Sequence, residues 1–122
     1  MKREIITIEN GRVYIPHRCA EIWMTQYEIA RMFECFVAKV SCNVRAILKT
    51  GVLDETKVCR FYYYKDGGSV EQYNLEMIIA LSFKVKTYNS EAFRNWLMRK
   101  AVTKTIRGEL LTSIQWNMTL LN

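Results

Sequence analysis

The sequence WMTQYEIARMF at residues 23–33, followed by VAKVSCNVRAILK at residues 37–49, decides the expected fold of this 122-residue chain. Thr25 and Glu28 stand three residues apart, the spacing of a capping box that opens a helix. Apolar residues then recur at helical spacing in both stretches, and Gly51 follows where a helix C-cap belongs. The pattern predicts two helices joined by a tight turn. The side chains expected to face inward are Ile29, Ala30, Met32 and Phe33 in the first helix and Val37, Val40, Val44, Ile47 and Leu48 in the second.

The second predicted helix carries polar side chains away from its apolar stripe: Lys39, Ser41, Asn43, Arg45 and Lys49. A helix-turn-helix places its second helix in the DNA major groove, where Asn can pair with adenine and Arg or Lys with guanine. These five residues are therefore candidates for binding DNA. A solvated helix face would contain similar residues, and that alternative stays open.

Strand-forming segments flank the two helices. Residues 3–15 are predicted to form a β-hairpin around Asn10-Gly11, the dipeptide preferred in a type I′ turn. Residues 58–64, VCRFYYY, are rich in β-formers, and the turn sequence KDGGS at residues 65–69 lets the chain pair back. A hairpin that follows a helix-turn-helix is a wing.

The remaining elements complete a single domain over residues 1–122. Residues 19–23 are expected to form a further short strand. Asn74 is expected to cap a short helix that ends near Val85, and a long helix is expected from residue 89 or 90 to about residue 107. The predicted fold class is α+β, with an N-terminal β-hairpin, a winged helix-turn-helix-like core and a long C-terminal helix.

The net charge of +6 comes from one segment. Against one acid, Glu91, residues 84–107 contain seven basic residues: Lys84, Lys86, Arg94, Arg99, Lys100, Lys104 and Arg107. Concentrated positive charge favours nucleic acid through phosphate contacts and counterion release. Lys100, Lys104 and Arg107 share one flank of the long helix with Phe93, Trp96 and Leu97. We therefore expect the first half to dock on the domain and the second half to contact phosphate. Cations are also common near helix C-termini, where the helix dipole favours them.

The predicted wing offers two more candidate contacts, from Arg60 and Lys65 to phosphate. In a strand, Tyr62 and Tyr64 share one face and Tyr63 lies on the other. Aromatic side chains can stack on unpaired bases, but packing in the core or across strands is the favoured interpretation for these tyrosines.

Residues suited to catalysis or metal binding are few. His17 has no evident Ser or Cys partner, and no phosphate-binding glycine loop or set of metal ligands is present in the sequence. The four cysteines form no Cys-x-x-Cys pair, which favours reduced thiols. No apolar run approaches the roughly 20 residues of a membrane span. We expect a cytoplasmic protein that is not an enzyme and has no cofactor, metal or membrane contact.

Five short phrases carry a resemblance to a known family: IWMTQ at residues 22–26, IA with F at 29–30 and 33, GVLD at 51–54, YNLEMII at 73–79 and FRNW at 93–96. With them the chain resembles the bacterial RhuM family of virulence-associated proteins. The resemblance implies a DNA-binding regulator linked to mobile or horizontally acquired DNA. The FRNW helix also looks like the end of the N-terminal domain of phage antirepressors and BRO proteins, which implies DNA binding or interaction with a repressor.

The chain departs from the family at the start of the second helix. The family usually has a polar Lys-Gln-Asn-type triplet there, whereas this chain has Val37-Ala38-Lys39. Either base reading has moved to Ser41, Asn43 and Arg45, or the helix packs against protein. A protein-interaction module of the antirepressor or adaptor type is therefore the alternative function. The apolar tail at residues 110–122 would either pack on the core or form a homodimer contact.

Overall fold

The computed structural model describes residues 4–17 and 21–106, with side chains described as far as residue 102. It is a mixed α+β structure with two small antiparallel sheets. In chain order its elements are β1 (Thr7–Glu9), β2 (Arg12–Tyr14), β3 (Trp23–Thr25), α1 (Gln26–Phe33), α2 (Val37–Thr50), α3 (Glu55–Val58), β4 (Cys59–Tyr63), β5 (Ser69–Asn74), α4 (Leu75–Ser82) and α5 (Tyr88–Ile106).

Strands β1 and β2 pair antiparallel in the first sheet. Between them Asn10 and Gly11 have φ of 51° and 76°, in the left-handed region that a type I′ turn requires. A side chain on Gly11 would also meet the hydroxyl of Tyr88, because its Cβ would lie 3.1 Å from that oxygen. Glycine at this position therefore lets the turn approach α5 closely.

In the second sheet β5 lies between β3 and β4. Tyr73 is the central residue, opposite Met24 on one side and Cys59 on the other, and only 1% of it is exposed. Its hydroxyl accepts a hydrogen bond of 2.8 Å from Nε2 of Gln26, the first residue of α1. The sequence placed a strand at residues 19–23. Residues 19 and 20 lie outside the described residues, and β3 begins at Trp23, so Glu21 and Ile22 precede the strand. The predicted range was wrong at these two residues because pairing with β5, which is remote in sequence, decides where the strand lies.

The predicted start of α1 is confirmed. The Thr25 hydroxyl accepts from the Glu28 amide at 3.1 Å, and the Glu28 carboxylate accepts from the Thr25 amide at 2.9 Å. The helix ends at Phe33. Its C-cap, Glu34, has a left-handed φ of 56°, and the Cys35 amide then donates to the Ala30 carbonyl at 2.9 Å. Residues 34–36 form the short turn that connects α1 to α2.

Helix α2 matches its predicted bounds within one residue and ends at Thr50. The left-handed φ of 75° at Gly51 confirms the predicted C-cap. Its buried side chains are Val40, Val44 and Ile47. Val37, which the spacing predicted to face inward, is 41% exposed. That prediction was wrong because Val37 is the first residue of the helix, next to the turn and beyond the edge of the core.

Helices α3 and α4 differ from the prediction. The short α3, capped by Asp54 through the Thr56 amide, was not predicted. Helix α4 has the predicted Asn74 cap, with 3.2 Å from the Asn74 Oδ1 to the Met77 amide, but ends at Ser82. The chain continues as a turn in which the Lys84 and Val85 amides both donate to the Leu81 carbonyl. Val85, expected in the helix, is buried as part of that turn.

The first half of α5 docks on the domain, as the sequence predicted, and contacts α1. Phe93 is fully buried, with its ring 5.8 Å from that of Phe33 in an edge-to-face contact and 6.0 Å from that of Trp96. The core as a whole contains Ile6, Ile22, Met24, Ile29, Ala30, Met32, Phe33, Val40, Val44, Ile47, Val58, Tyr73, Met77, Ile78, Leu81, Val85 and Phe93.

The start of α5 also caps the end of α1. The last four carbonyls of an α-helix lack partners within the helix. Here the carbonyls of Ala30 and Arg31 accept hydrogen bonds from backbone amides of the turn that follows α1. Asn89 Nδ2 donates to the Met32 carbonyl at 2.9 Å, and Thr87 Oγ1 to the Phe33 carbonyl at 2.6 Å. The α1–α2 turn is therefore held by residues more than fifty positions away. None of the described helices has both the length and the apolar character needed to cross a membrane.

Candidate nucleic-acid interface

Helix α2 exposes a cationic face. Its buried residues occupy one side, and Lys39, Arg45 and Lys49 are all exposed. Ser41 and Asn43 lie at the edges of that face and are half-buried. The five residues predicted as a recognition surface therefore divide into three exposed cations and two flanking polar side chains.

Asn43 is partly engaged within its own helix. Its Nδ2 donates to the Lys39 carbonyl one turn earlier, at 2.9 Å. An amide that pairs bidentately with adenine needs both its donor and its acceptor free to point outward. Asn43 is therefore a weaker candidate for base contact than Arg45.

Small side chains lie between the cations. Ala38, Cys42 and Ala46 are exposed and, with Arg45 and Lys49, fall within an arc of about 100° opposite the buried stripe. With 14 residues the helix is about 21 Å long. Short side chains along the middle of this face let the helix backbone approach a surface closely, while the longer basic side chains reach further.

An open groove of about 540 Å³ adjoins the start of α2. The residues that line it come from the α1–α2 turn and from the α4–α5 loop: Glu34, Cys35, Phe36, Lys39, Lys84, Val85, Lys86 and Thr87. Phe36 is 85% exposed. Burial raises the pKa of the Cys35 thiol, and the positive charge of Lys39 partly opposes that shift. Three lysines thus share one groove although more than forty residues separate Lys39 from Lys84 in the chain.

Of the two cations predicted on the β4–β5 hairpin, only Lys65 stands at its exposed tip. Arg60 is held against the sheet. Its Nε donates to Oε1 of Gln72 at 2.9 Å, and its guanidinium carbon lies 4.3 Å from the centre of the Trp23 ring. A cation in this position contributes to the packing of β3 against β5 and β4 as well as to surface charge.

The aromatic residues of this hairpin are exposed. Phe61, Tyr62, Tyr63 and Tyr64 are 59%, 46%, 72% and 49% exposed. Tyr62 and Tyr64 share a face, as predicted, with ring centres 5.4 Å apart, and Phe61 and Tyr63 lie 6.5 Å apart. The favoured interpretation was packing in the core or across strands, and the exposure of the three tyrosines excludes the core. Their ring contacts run along the strand because β4 is an edge strand that extends past the core.

The basic segment at residues 84–107 serves more than one purpose. Arg94 is half-buried, and its guanidinium donates to the carbonyls of Ser82 and Val85 and to the Ser90 hydroxyl. It therefore anchors the end of α4. Lys100 is exposed, with Nζ 5.8 Å from the centre of the Trp96 ring. The side chain of Lys104 and all of Arg107 lie outside the described residues, as does the apolar segment at 110–122.

Other chemistry is sparse within the part of the chain that the structure describes. No group of three His, Cys, Asp or Glu residues is placed to hold a metal ion there. Cys35, Cys42 and Cys59 are free thiols, and Cys19 lies outside the described residues. Burial, followed by the nearby charges of Glu71 and Glu55, raises the pKa of Cys59 to about 12. That thiol stays protonated at neutral pH, and the protonated form is a poor nucleophile.

Sequence reasoning missed two features of this surface. It counted Lys84 and Lys86 in the basic segment without predicting that they meet Lys39, and it assigned Arg94 no structural role. The signal for the first was the apolar Val85 between two lysines, which predicts that both lysines point away from the core.

Comparisons with protein-family models, with curated proteins and with solved structures found no match to this chain. The resemblance to the RhuM family therefore stays a hypothesis based on the sequence phrases quoted above.

Proposed function

We propose that the unit from β3 to β5 is a winged helix-turn-helix that binds duplex DNA, with α2 in the major groove and the β4–β5 hairpin as the wing. The observation that carries the proposal is the exposed face of α2, where Lys39, Arg45 and Lys49 surround small side chains. The order of elements also supports it, because a strand, the two helices α1 and α2, the one-turn helix α3 and a hairpin follow one another and β5 lies between β3 and β4. In this arrangement the three strands pair with one another, and the cationic face of α2 stays exposed.

The cations have different roles in this proposal. Arg45 and Lys49 reach base edges or the phosphates that border the groove, and Lys39 contacts phosphate. Lys65 contacts phosphate from the wing, and Arg60 keeps the wing in place on Trp23. Positive charge along α5 at Lys100, Lys104 and Arg107 adds affinity without sequence information. The biological role is that of a regulator linked to mobile or horizontally acquired DNA, acting as a monomer or as a dimer through residues 110–122.

The test is selection of random duplex DNA at low salt, followed by binding measurements between 50 and 200 mM salt. A protein that neutralises several phosphates loses affinity steeply over this range. Arg45→Ala should weaken binding and relax the preference for the selected sequence, whereas Arg12→Ala, an exposed cation on β2, should change neither by much. Duplex binding that does not depend on salt, or no binding at 50 mM, would refute the proposal.

A second function, as a protein-interaction module of the antirepressor or adaptor type, is favoured by the exposed aromatic side chains of β4. Exposed apolar surface of this kind often marks a contact with another protein. Affinity purification would compare the wild type with a variant that combines Phe61→Ser and Tyr63→Ser, and with Arg45→Ala. A defined protein that is lost with the aromatic variant but kept by Arg45→Ala, with no nucleic acid present, would favour this function.

A further inference from the structure

We propose that Lys84 and Lys86, on the α4–α5 loop, bind the DNA backbone together with Lys39, so that one strand of the duplex crosses the groove beside the start of α2. The proposal rests on the proposed binding of duplex DNA and names a second group of residues that positions the DNA. It commits to phosphate as the group that is bound.

The groove has the charge that a phosphate backbone requires. Its basic residues are Lys39, Lys84 and Lys86, and Glu34 is the acid among the residues that line it. All three lysines are exposed. The groove is also open, with a volume of about 540 Å³, which suits a polymer that passes across the surface.

The loop that carries the two lysines is held firmly. Val85, between them, is only 1% exposed, and its carbonyl accepts a hydrogen bond of 2.6 Å from the Ser90 hydroxyl. Arg94 donates to the same carbonyl at 3.3 Å. With Val85 anchored inward, the neighbouring lysines are directed to the surface, and little conformational entropy of the backbone remains to be lost on binding.

The same loop is tied to the turn before α2. Thr87 Oγ1 donates to the Phe33 carbonyl at 2.6 Å, at the last residue of α1. The lysines therefore keep a defined position relative to α2. A helix in the major groove has a phosphate strand along each side of it, and the groove is about 12 Å wide. Cations beside one end of α2 are thus placed to contact the strand that borders it.

The experiment compares two double variants with the same loss of charge. The test variant combines Lys84→Gln with Lys86→Gln. The control combines Arg12→Gln with Lys57→Gln, two exposed cations on β2 and α3 that do not line the groove. Each lowers the net charge from +6 to +4 by removing two positive charges. Circular dichroism melts would check that both are folded, and binding of one selected duplex would be measured at 50 to 200 mM salt.

We expect duplex binding by the test variant to release about two fewer counterions. The negative slope of log K against log salt should then be shallower by about 1.8. Between 50 and 200 mM, wild-type affinity should then fall about tenfold further than that of the variant. The loss of affinity at a given salt concentration should be the same for duplexes of any sequence, because phosphate contacts carry no sequence information. Bound duplex should also protect Lys84 and Lys86 of the wild type from acetylation.

Three outcomes separate the proposals. Reduced slope in the test variant alone, with both lysines protected, supports the second phosphate contact. Equal slopes for the test and control variants, or lysines that are acetylated equally with and without DNA, overturn it while leaving duplex binding through α2 in place. Failure of the wild type to bind duplex at 50 mM salt overturns both this proposal and the proposed function.

Discussion

The capping of α1 by residues at the start of α5 leads to a quantitative prediction for Asn89→Ala. Asn89 is 6% exposed, and its side-chain amide donates to the Met32 carbonyl at 2.9 Å. The substitution removes this donor and leaves the carbonyl of Met32, a buried residue, without that hydrogen bond. A buried polar group that loses its partner costs about 1–3 kcal/mol. We therefore expect the free energy of unfolding to fall by about 2 kcal/mol.

Thermal unfolding should change by a corresponding amount. For a domain of this size, 1 kcal/mol corresponds to a shift in Tm of about 4 °C, so Asn89→Ala should lower the Tm by about 8 °C. The assay is urea unfolding followed by far-ultraviolet circular dichroism, with a thermal melt in parallel. The m-value should stay the same, because the variant exposes the same surface area when it unfolds.

Asn95→Ala is the matched control, because Asn95 lies on the same helix and is exposed. A surface substitution of this kind changes stability by no more than about 0.5 kcal/mol. If Asn89→Ala destabilises the protein no more than Asn95→Ala does, the hydrogen bond to α1 contributes nothing. That result would refute a stabilising role of Asn89 at the end of α1.

Three further predictions concern the site and the sheet. Arg45→Ala should weaken duplex binding by about 1–3 kcal/mol if Arg45 contacts a base, measured against Arg12→Ala in the same salt. Cys42, exposed on α2, should react with iodoacetamide at pH 8 far faster than Cys59, whose pKa of about 12 keeps it protonated, and bound duplex should slow the reaction of Cys42. Mass spectrometry of the alkylated peptides would check both rates. Equal reaction of Cys42 with and without bound duplex would contradict the placement of α2 in the DNA major groove. Burial raises the pKa of Tyr73 from 10.0 to about 12, so the stability from its neutral phenol is present below pH 10 and is lost as the pH rises through 12. The free energy of unfolding of the wild type, measured in urea, should fall over that window, and that of Tyr73→Phe should depend less on pH there.

Much of the local structure could be predicted because its hydrogen bonds join residues close in sequence. Thr25 and Glu28 form their capping box within four residues, and Asn74 caps α4 through an amide three residues on. The exposure of Arg45 and Lys49 follows from helical spacing, because their angular positions place them opposite the buried residues of α2. These parts of the candidate site needed no knowledge of the tertiary fold.

Predictions failed where a distant segment decides the outcome. Val37 fits the apolar spacing of α2, but the core does not extend to it. The tyrosines of β4 have strong β-propensity, yet only the sheet order shows that β4 is an edge strand whose side chains remain exposed. Propensity and spacing describe one element, whereas burial depends on which elements cover it.

The sequence by itself determined α1, α2, the start of α4, the caps of these helices and the surplus of basic residues, because each depends on side chains within a turn or two of one another. Only the tertiary structure decided how that charge is used. It turned Arg94 inward to hold the end of α4 and brought Lys84 and Lys86 beside Lys39. The physical reason is that the last carbonyls of α1 and α4 needed donors, which Thr87 and Asn89 supplied to α1 and Arg94 supplied to α4. Their hydrogen bonds fixed the loop and thereby the position of its lysines.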